Sequence, residues 1–209
     1  MTFPPVWLDD LTKTEMRIVL LEYGYLIHRF TQFIALVIGH AENAEVRRLL
    51  ISNLIDEIGD DRDNLAHVYL FEICATSCGL QMDSNAVSQS TQDIENWFFS
   101  VFNSADTARS LAVLGPGTEE IAQSFLVPME RGLVRVFGSV DLRYFDVHRP
   151  QYESMHIGDI RQAIHIVRNS HPKSEWLGFD EKIETNTKEA MAMHTKFWDN
   201  IYQLVLKPH

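Results

Sequence analysis

The sequence predicts one all-helical domain, a bundle of about seven helices spanning residues 1–209. Apolar residues recur at the three-to-four-residue spacing of a helix face through most of the chain, and capping residues fall at the ends of those stretches. No segment alternates apolar and polar residues as a half-buried strand would. At 209 residues and 24.1 kDa the chain has the size of a single domain and can bury a core without covalent staples.

The elements follow in order. Thr12 and Glu15 have capping-box spacing, and Ile18, Leu21, Tyr25, Phe30, Phe33, Leu36 and Val37 carry a first helix to about His40. Asn43 caps a second helix, Ala44–Ile58, which Gly59 ends. A polar turn over 60–63 precedes a third helix from Asn64 to Gly79, and a Ser/Asn/Gln-rich connection leads to a fourth from Thr91 to about Leu114, with an interruption expected near Asn103. The run Gly115-Pro116-Gly117-Thr118 breaks the chain, and Thr118 is expected to cap a fifth helix ending near Phe137. A sixth helix, residues 142–169, carries Pro150 in its interior, which demands a kink or a local rewinding. After a loop at 171–180, a seventh helix runs from Glu181 to about Val205.

The formal net charge is −11, which repels a phosphate backbone or an anionic membrane, so no nucleic-acid or membrane partner is expected. The apolar stretch 18–39 is interrupted by Glu22, His28 and Arg29 and is too polar to span a bilayer. Cys74 and Cys78 share a helix face at a spacing poorly suited to a disulfide and are expected to be buried, reduced thiols. With no basic segment leading into an apolar one over residues 1–10, a cytoplasmic location is expected.

The chain has no glycine-rich phosphate loop, GxSxG elbow, CxxC pair or HExxH motif. It offers instead imidazole and carboxylate where a bundle would aim them inward, a donor set suited to iron or manganese. One cluster is Asp56-Glu57-Ile58-Gly59 followed by His67; antiparallel neighbours joined by a short turn can bring Glu57 and His67 together, although taken alone the residues read more simply as acids that cap or solvate a helix C-terminus and a core imidazole. The other runs from Tyr144 to His156 and contains Glu153-x-x-His156, an ExxH pair on one helix face. Along a regular helix, eight residues leave His148 and His156 about 80° apart and seven would leave about 20°. One residue absorbed as a π-bulge beside Pro150 would align them.

At these residues the chain resembles the haem-oxygenase-like non-haem diiron oxidases and oxygenases, which are related in fold to thiaminase-type and pyrroloquinoline-quinone-synthase-like proteins. The resemblance rests on Asp56-Glu57-Ile58-Gly59 with His67, on Thr118-Glu119, and on Phe145-Asp146-Val147-His148 with Glu153-x-x-His156. Cys78-Gly79-Leu80 and Phe197-Trp198-Asp199-x-x-Tyr202 add to it, so most of the chain is covered. It implies a seven-helix haem-oxygenase-like bundle with Glu57, His67, Glu119, His148, Glu153 and His156 as metal ligands, Glu119 being the bridging or second carboxylate. Glu120 and Glu130 are rivals for that place. The family's last triplet is H-x3-D-x2-H; here it is H-x4-E-x2-H, which leaves one or two metals open. Some relatives carry a further carboxylate in the first core helix, where this chain offers only Glu22 and His28.

The resemblance also implies two Fe(II) per chain, O2 as co-substrate, and an iron-dependent oxidoreductase with no catalytic residues beyond the ligands. Its substrate would be a small carboxylate-bearing molecule, a fatty acid or an amino acid, undergoing C–C cleavage, desaturation or N-oxygenation in a biosynthetic role. Arg149 and Tyr152 are the candidate substrate contacts, with Arg143 behind them. The electron donor is unspecified, and a homodimer is compatible with the bundle. The alternative is a metal-free enzyme or small-ligand-binding protein of the same fold.

Overall fold

In the computed structural model, residues 5–59, 65–82 and 87–207 are described, with the side chains of 151–154 outside the description. Among the described residues there are nine α-helices and no strand: α1 (Lys13–His40), α2 (Ala44–Ile58), α3 (His67–Ser77), α4 (Gln89–Phe102), α5 (Thr107–Leu114), α6 (Ala122–Phe137), α7 (Arg143–Val147), α8 (Pro150–Asn169) and α9 (Trp176–Val205). Short 3-10 turns occupy Val6–Asp10, Glu119–Ile121 and Lys173–Glu175.

Local chemistry sets the helix ends. The capping box of α1 forms: Thr12 Oγ1 accepts from the Glu15 amide at 3.4 Å, and Glu15 Oε2 accepts from the Thr12 amide at 2.7 Å. Asn43 Oδ1 accepts from the amides of Glu45 and Val46 at 2.8 and 3.3 Å and starts α2. Three expected helices differ. The fourth is two helices, because Asp106 caps a second start by accepting from the Arg109 amide at 3.1 Å. The sixth is also two, and it contains no π-bulge. Pro150 is the first residue of α8, where its missing N–H costs nothing, and the residue before it, Arg149, is extended at ψ 150°. The seventh begins earlier, at Trp176 rather than Glu181. Thr118 does not cap a helix either; its hydroxyl donates to the Val113 carbonyl at 2.8 Å, and a 3-10 turn follows. The start expected at Asn64 lies outside the described residues, and α3 opens at His67.

Helix α1 occupies the centre and packs against α2, α3, α4, α5, α6 and α9, while α8 packs on α2 and α7 on α3. The core is continuous along these contacts, with Leu20, Ile34, Leu50, Phe71 and Leu111 fully buried. Cys74 and Cys78 are buried free thiols. No helix among the described residues is long and apolar enough to cross a membrane.

Glu22 and His28 of α1 have structural partners. Glu22 accepts from the Ser88 amide and hydroxyl, both at 2.9 Å, and His28 Nε2 lies 3.3 Å from Glu72 Oε1. The 3-10 turn Val6–Asp10 straps α6: Arg131 holds Asp9 through contacts of 3.0 and 2.5 Å, and Arg135 donates to the Asp9 and Leu11 carbonyls. The strap can lie this close only because residue 132 is glycine. A Cβ there would collide with the Leu8 carbonyl oxygen and with Met16 Cε.

Gly132→Ala should therefore lower stability by about 1–3 kcal/mol, the usual cost of overpacking. Gly158→Ala, where a Cβ meets nothing within 4 Å in mid-helix, should be neutral or add about 0.5–1 kcal/mol. Urea denaturation of the two variants beside wild type checks both; equal effects would contradict the close strap.

Candidate metal centre

Five side chains from five separate segments meet inside the bundle. Helix α2 presents Val46, Leu50, Asn53 and Glu57 as its buried face, which turns Glu57 inward on the last full turn before Gly59. His67 opens α3, His148 caps the end of α7, His156 lies on the second turn of α8, and Glu119 sits in the 3-10 turn before α6. Glu57, His67, Glu119 and His156 are each at most 7 % exposed, so water is largely excluded from them.

The tight path of the chain places Glu119. A Cβ on Gly117 would stand 2.5 Å from the Ala190 Cβ and 2.9 Å from the Val113 carbonyl, so only glycine lets the connection pass between α5 and α9. The rivals are taken up elsewhere: Glu120 accepts from Arg161 at 2.7 Å, and Glu130 forms a two-pronged pair with Arg149 at 2.7 and 2.6 Å.

The donor atoms fall into two groups of three, Glu57, His67 and His148 in one, Glu57, Glu119 and His156 in the other, with the atoms of each group within 4.8 Å of one another. Glu57, rather than Glu119, belongs to both. His67 Nδ1 is 2.9 Å from Glu57 Oε2, and His156 Nδ1 is 3.9 Å from Glu57 Oε1. The His67 ring lies 4.7 Å from that of His148 and 6.5 Å from that of His156.

Outer partners fix two of the imidazoles. His148 Nδ1 lies 2.6 Å from the Tyr144 carbonyl oxygen; a carbonyl only accepts, so Nδ1 carries the proton and Nε2 keeps its lone pair. His156 Nε2 lies 2.9 Å from Asp56 Oδ2, which leaves Nδ1 toward Glu57. A carbonyl or carboxylate behind a histidine is the usual support of a metal ligand. Burial opposes the charge of Glu57, but the hydrogen bond to His67 and the pull of His67, His148 and His156 outweigh it and hold the carboxyl below its ordinary value. Burial pushes His148 down to about 4, so it is a neutral imidazole at pH 7.

An oxygen and nitrogen donor set without sulfur, in two groups that share a carboxylate, is of the kind that suits iron or manganese. The side chains of Glu153 and Tyr152 lie outside the described residues. Arg149 is held by Glu130 and, at 3.3 Å, by Asp146; Arg143 is held by Asp141. Neither arginine lines the chamber beside the centre.

That chamber is walled by Leu26, Phe30 and Phe33 of α1 with Phe98, Phe125 and Phe197, and it reaches Glu57, His67, Glu119 and His148 at one end. His194 also lines it, 3.2 Å from Thr118 Oγ1 through Nε2, and burial pushes it to about 4. The sequence reading passed over His194 and Tyr23. A signal existed for His194: it is four residues from Ala190 and four from Trp198 on the apolar stripe of α9.

Comparison with known proteins agrees with this architecture. A CADD-like protein of unknown function from Nostoc punctiforme superposes with a TM-score of 0.74 at 17% identity, covering 97% of this chain and 88% of that one. A TenA homologue from Pseudomonas syringae gives 0.76 at 13% identity over 97% and 85%. A domain of unknown function with a heme oxygenase-like fold from Shewanella denitrificans gives 0.73 at 12% identity over 96% and 84%. No curated protein matches the sequence. Residues 17–174, which contain all five converging side chains, match the family model described as iron-containing redox enzyme. The fold is therefore heme oxygenase-like, and the chain belongs to the iron-containing redox enzyme family.

Proposed function

We propose that the protein is a non-haem diiron enzyme that uses O2 to oxidise a small carboxylate-bearing substrate. The observation that supports this most directly is the sharing of Glu57 between two buried donor groups. Glu57, His67 and His148 would hold one iron, and Glu57, Glu119 and His156 the other, with Glu153 on the same helix as His156. The iron pair, when bound, supplies the electrons that activate O2.

The chain's own residues do the rest. His67, His148 and His156 present ring nitrogens to Glu57, the hydrogen bond from His67 favours its ionised form, and the Tyr144 carbonyl and Asp56 orient two of those rings. Two Fe(II) ions carry more positive charge than Glu57 and Glu119 offset, so a substrate carboxylate finds its counter-charge at the centre itself. No Lys or Arg lines the chamber among the described residues, and its phenylalanine and leucine walls suit an alkyl chain better than the ammonium group of an amino acid. An aliphatic acid is accordingly the favoured substrate class. The closed apolar walls also exclude water from the reacting carbon.

Anaerobic Fe(II) titration tests the assignment. Wild type should retain about two irons per chain after desalting, His67→Ala and His156→Ala about one each, and Glu57→Ala neither, because each ion loses a third of its described ligands. Equal iron content in all four proteins would remove the metal reading, and no uptake by an intact wild-type fold would favour a metal-free binder.

Keeping imidazoles neutral in the interior has a pH signature. His148 and His194 titrate near 4 in the folded chain against an ordinary 6.5. Between those values the unfolded chain binds more protons, so stability of the metal-free protein is full above about pH 6.5 and is lost as pH falls toward about 4. His194→Gln keeps a donor for Thr118 and should flatten that fall in the urea midpoint; an unchanged pH profile would contradict a neutral, buried His194.

A further inference from the structure

Tyrosine and tryptophan side chains form an unbroken line from the metal centre to the protein surface. The Tyr144 ring lies against His148 with centroids 4.4 Å apart, and its hydroxyl meets that of Tyr23 at 2.9 Å. Tyr23 stacks on Trp198 at 6.0 Å and 25°, Trp198 meets Trp7 edge-on at 6.4 Å, and Trp7 meets Tyr202 at 5.1 Å. Tyr144, Tyr23 and Trp198 are buried, whereas Trp7 and Tyr202 are half-exposed at the outer end.

Packing alone does not call for these residue types. The neighbouring cluster of Phe33, Phe98, Phe99 and Phe102 fills its part of the core with phenylalanine, which needs no hydrogen bond. Along the line to the surface every ring is instead one that can lose an electron at potentials a biological oxidant reaches. Phenylalanine cannot. Successive rings are close enough for electrons to hop between them.

We propose that Tyr144, Tyr23, Trp198, Trp7 and Tyr202 are a one-electron conduit joining the metal centre to an external one-electron reductant at the surface; the proposal rests on the iron reading given above. An oxidising equivalent left at the centre by O2 would take one electron from Tyr144, each oxidised ring would be restored by its outer neighbour, and the external reductant would restore Trp7 or Tyr202, so that one electron moves inward for each one the reductant gives. When Tyr144 or Tyr23 is the oxidised ring, its phenolic proton is held by the other hydroxyl across the 2.9 Å hydrogen bond and returns when the electron arrives. The indole N–H of Trp198 has no hydrogen-bond partner among the described residues, so charge passes that ring with no proton to hand over.

The conduit is tested by running it in reverse. Azide radicals generated by pulse radiolysis oxidise accessible tryptophan in the anaerobic Fe(II)-loaded protein. In wild type the tryptophanyl absorbance should decay by a first-order process as Fe(III) appears; in the metal-free protein the charge should stop at the tyrosine pair, and tyrosyl absorbance should grow instead. Trp198→Phe should slow both processes by an order of magnitude or more. Trp7→Phe, at a half-exposed position that tolerates the change, should lower the fraction of charge that enters. Rates indifferent to both substitutions, in protein that has bound its iron, overturn the conduit and leave the iron reading intact. Protein that binds no iron overturns the iron reading and the proposal with it, even where transfer between tryptophan and tyrosine persists.

Discussion

An ionised carboxylate inside a protein must be compensated, and Glu57 is the point at which this fold meets that demand. Its position on the inner face of the last turn of α2 puts it beyond the reach of bulk water, where an unpaired charge would be costly. The chain surrounds it with imidazoles drawn from α3, α7 and α8 rather than with a lysine or arginine. The imidazoles and a second buried carboxylate, Glu119, gather nitrogen and oxygen donors around it in an arrangement that could hold a divalent cation. Each surrounding feature serves that cluster, from the Asp56 carboxylate behind His156 to the glycine that lets residues 115–118 fold closely enough for Glu119 to arrive.

The break between α7 and α8 shows how a sequence irregularity is accommodated. A continuous helix would have carried His148 and His156 to different faces. The chain instead ends one helix at His148, extends through Arg149 and begins another at Pro150. Glu130 and Asp146 hold the Arg149 guanidinium across this break, and Gln123 donates to the His148 carbonyl. The arginine that the sequence suggested as a substrate contact thus clamps the turn that delivers His148.

Much of this was legible in the residues. The capping box at Thr12, the cap at Asn43 and the stop at Gly59 set α1 and α2, because side-chain caps act locally and leave a local trace. Glu57, His67, His148 and His156 stood out by residue type and spacing and Glu119 through the family resemblance, and the structure brings these five near one another, while the side chain of Glu153 lies outside the described residues. What could not be read was set by distant contacts. The second start at Asp106, the helix break at Pro150 and the lost cap at Thr118 each depend on what packs against them, and a proline reads the same whether it kinks a helix or opens one. His194 left a partial trace: its place on the apolar stripe of α9 marks it as buried, but the chamber it faces is assembled from distant helices.

The five donors come from segments scattered between positions 57 and 156, and the full set meets only where α2, α3, α7, α8 and the turn before α6 pack together. Any ion seated there therefore acts as a clasp on the tertiary structure, since an open chain offers no equivalent grip. By mass action, ion at a hundred times its dissociation constant would tighten the fold by about 2.7 kcal/mol, so cellular iron supply would set the lifetime of the protein as well as its activity.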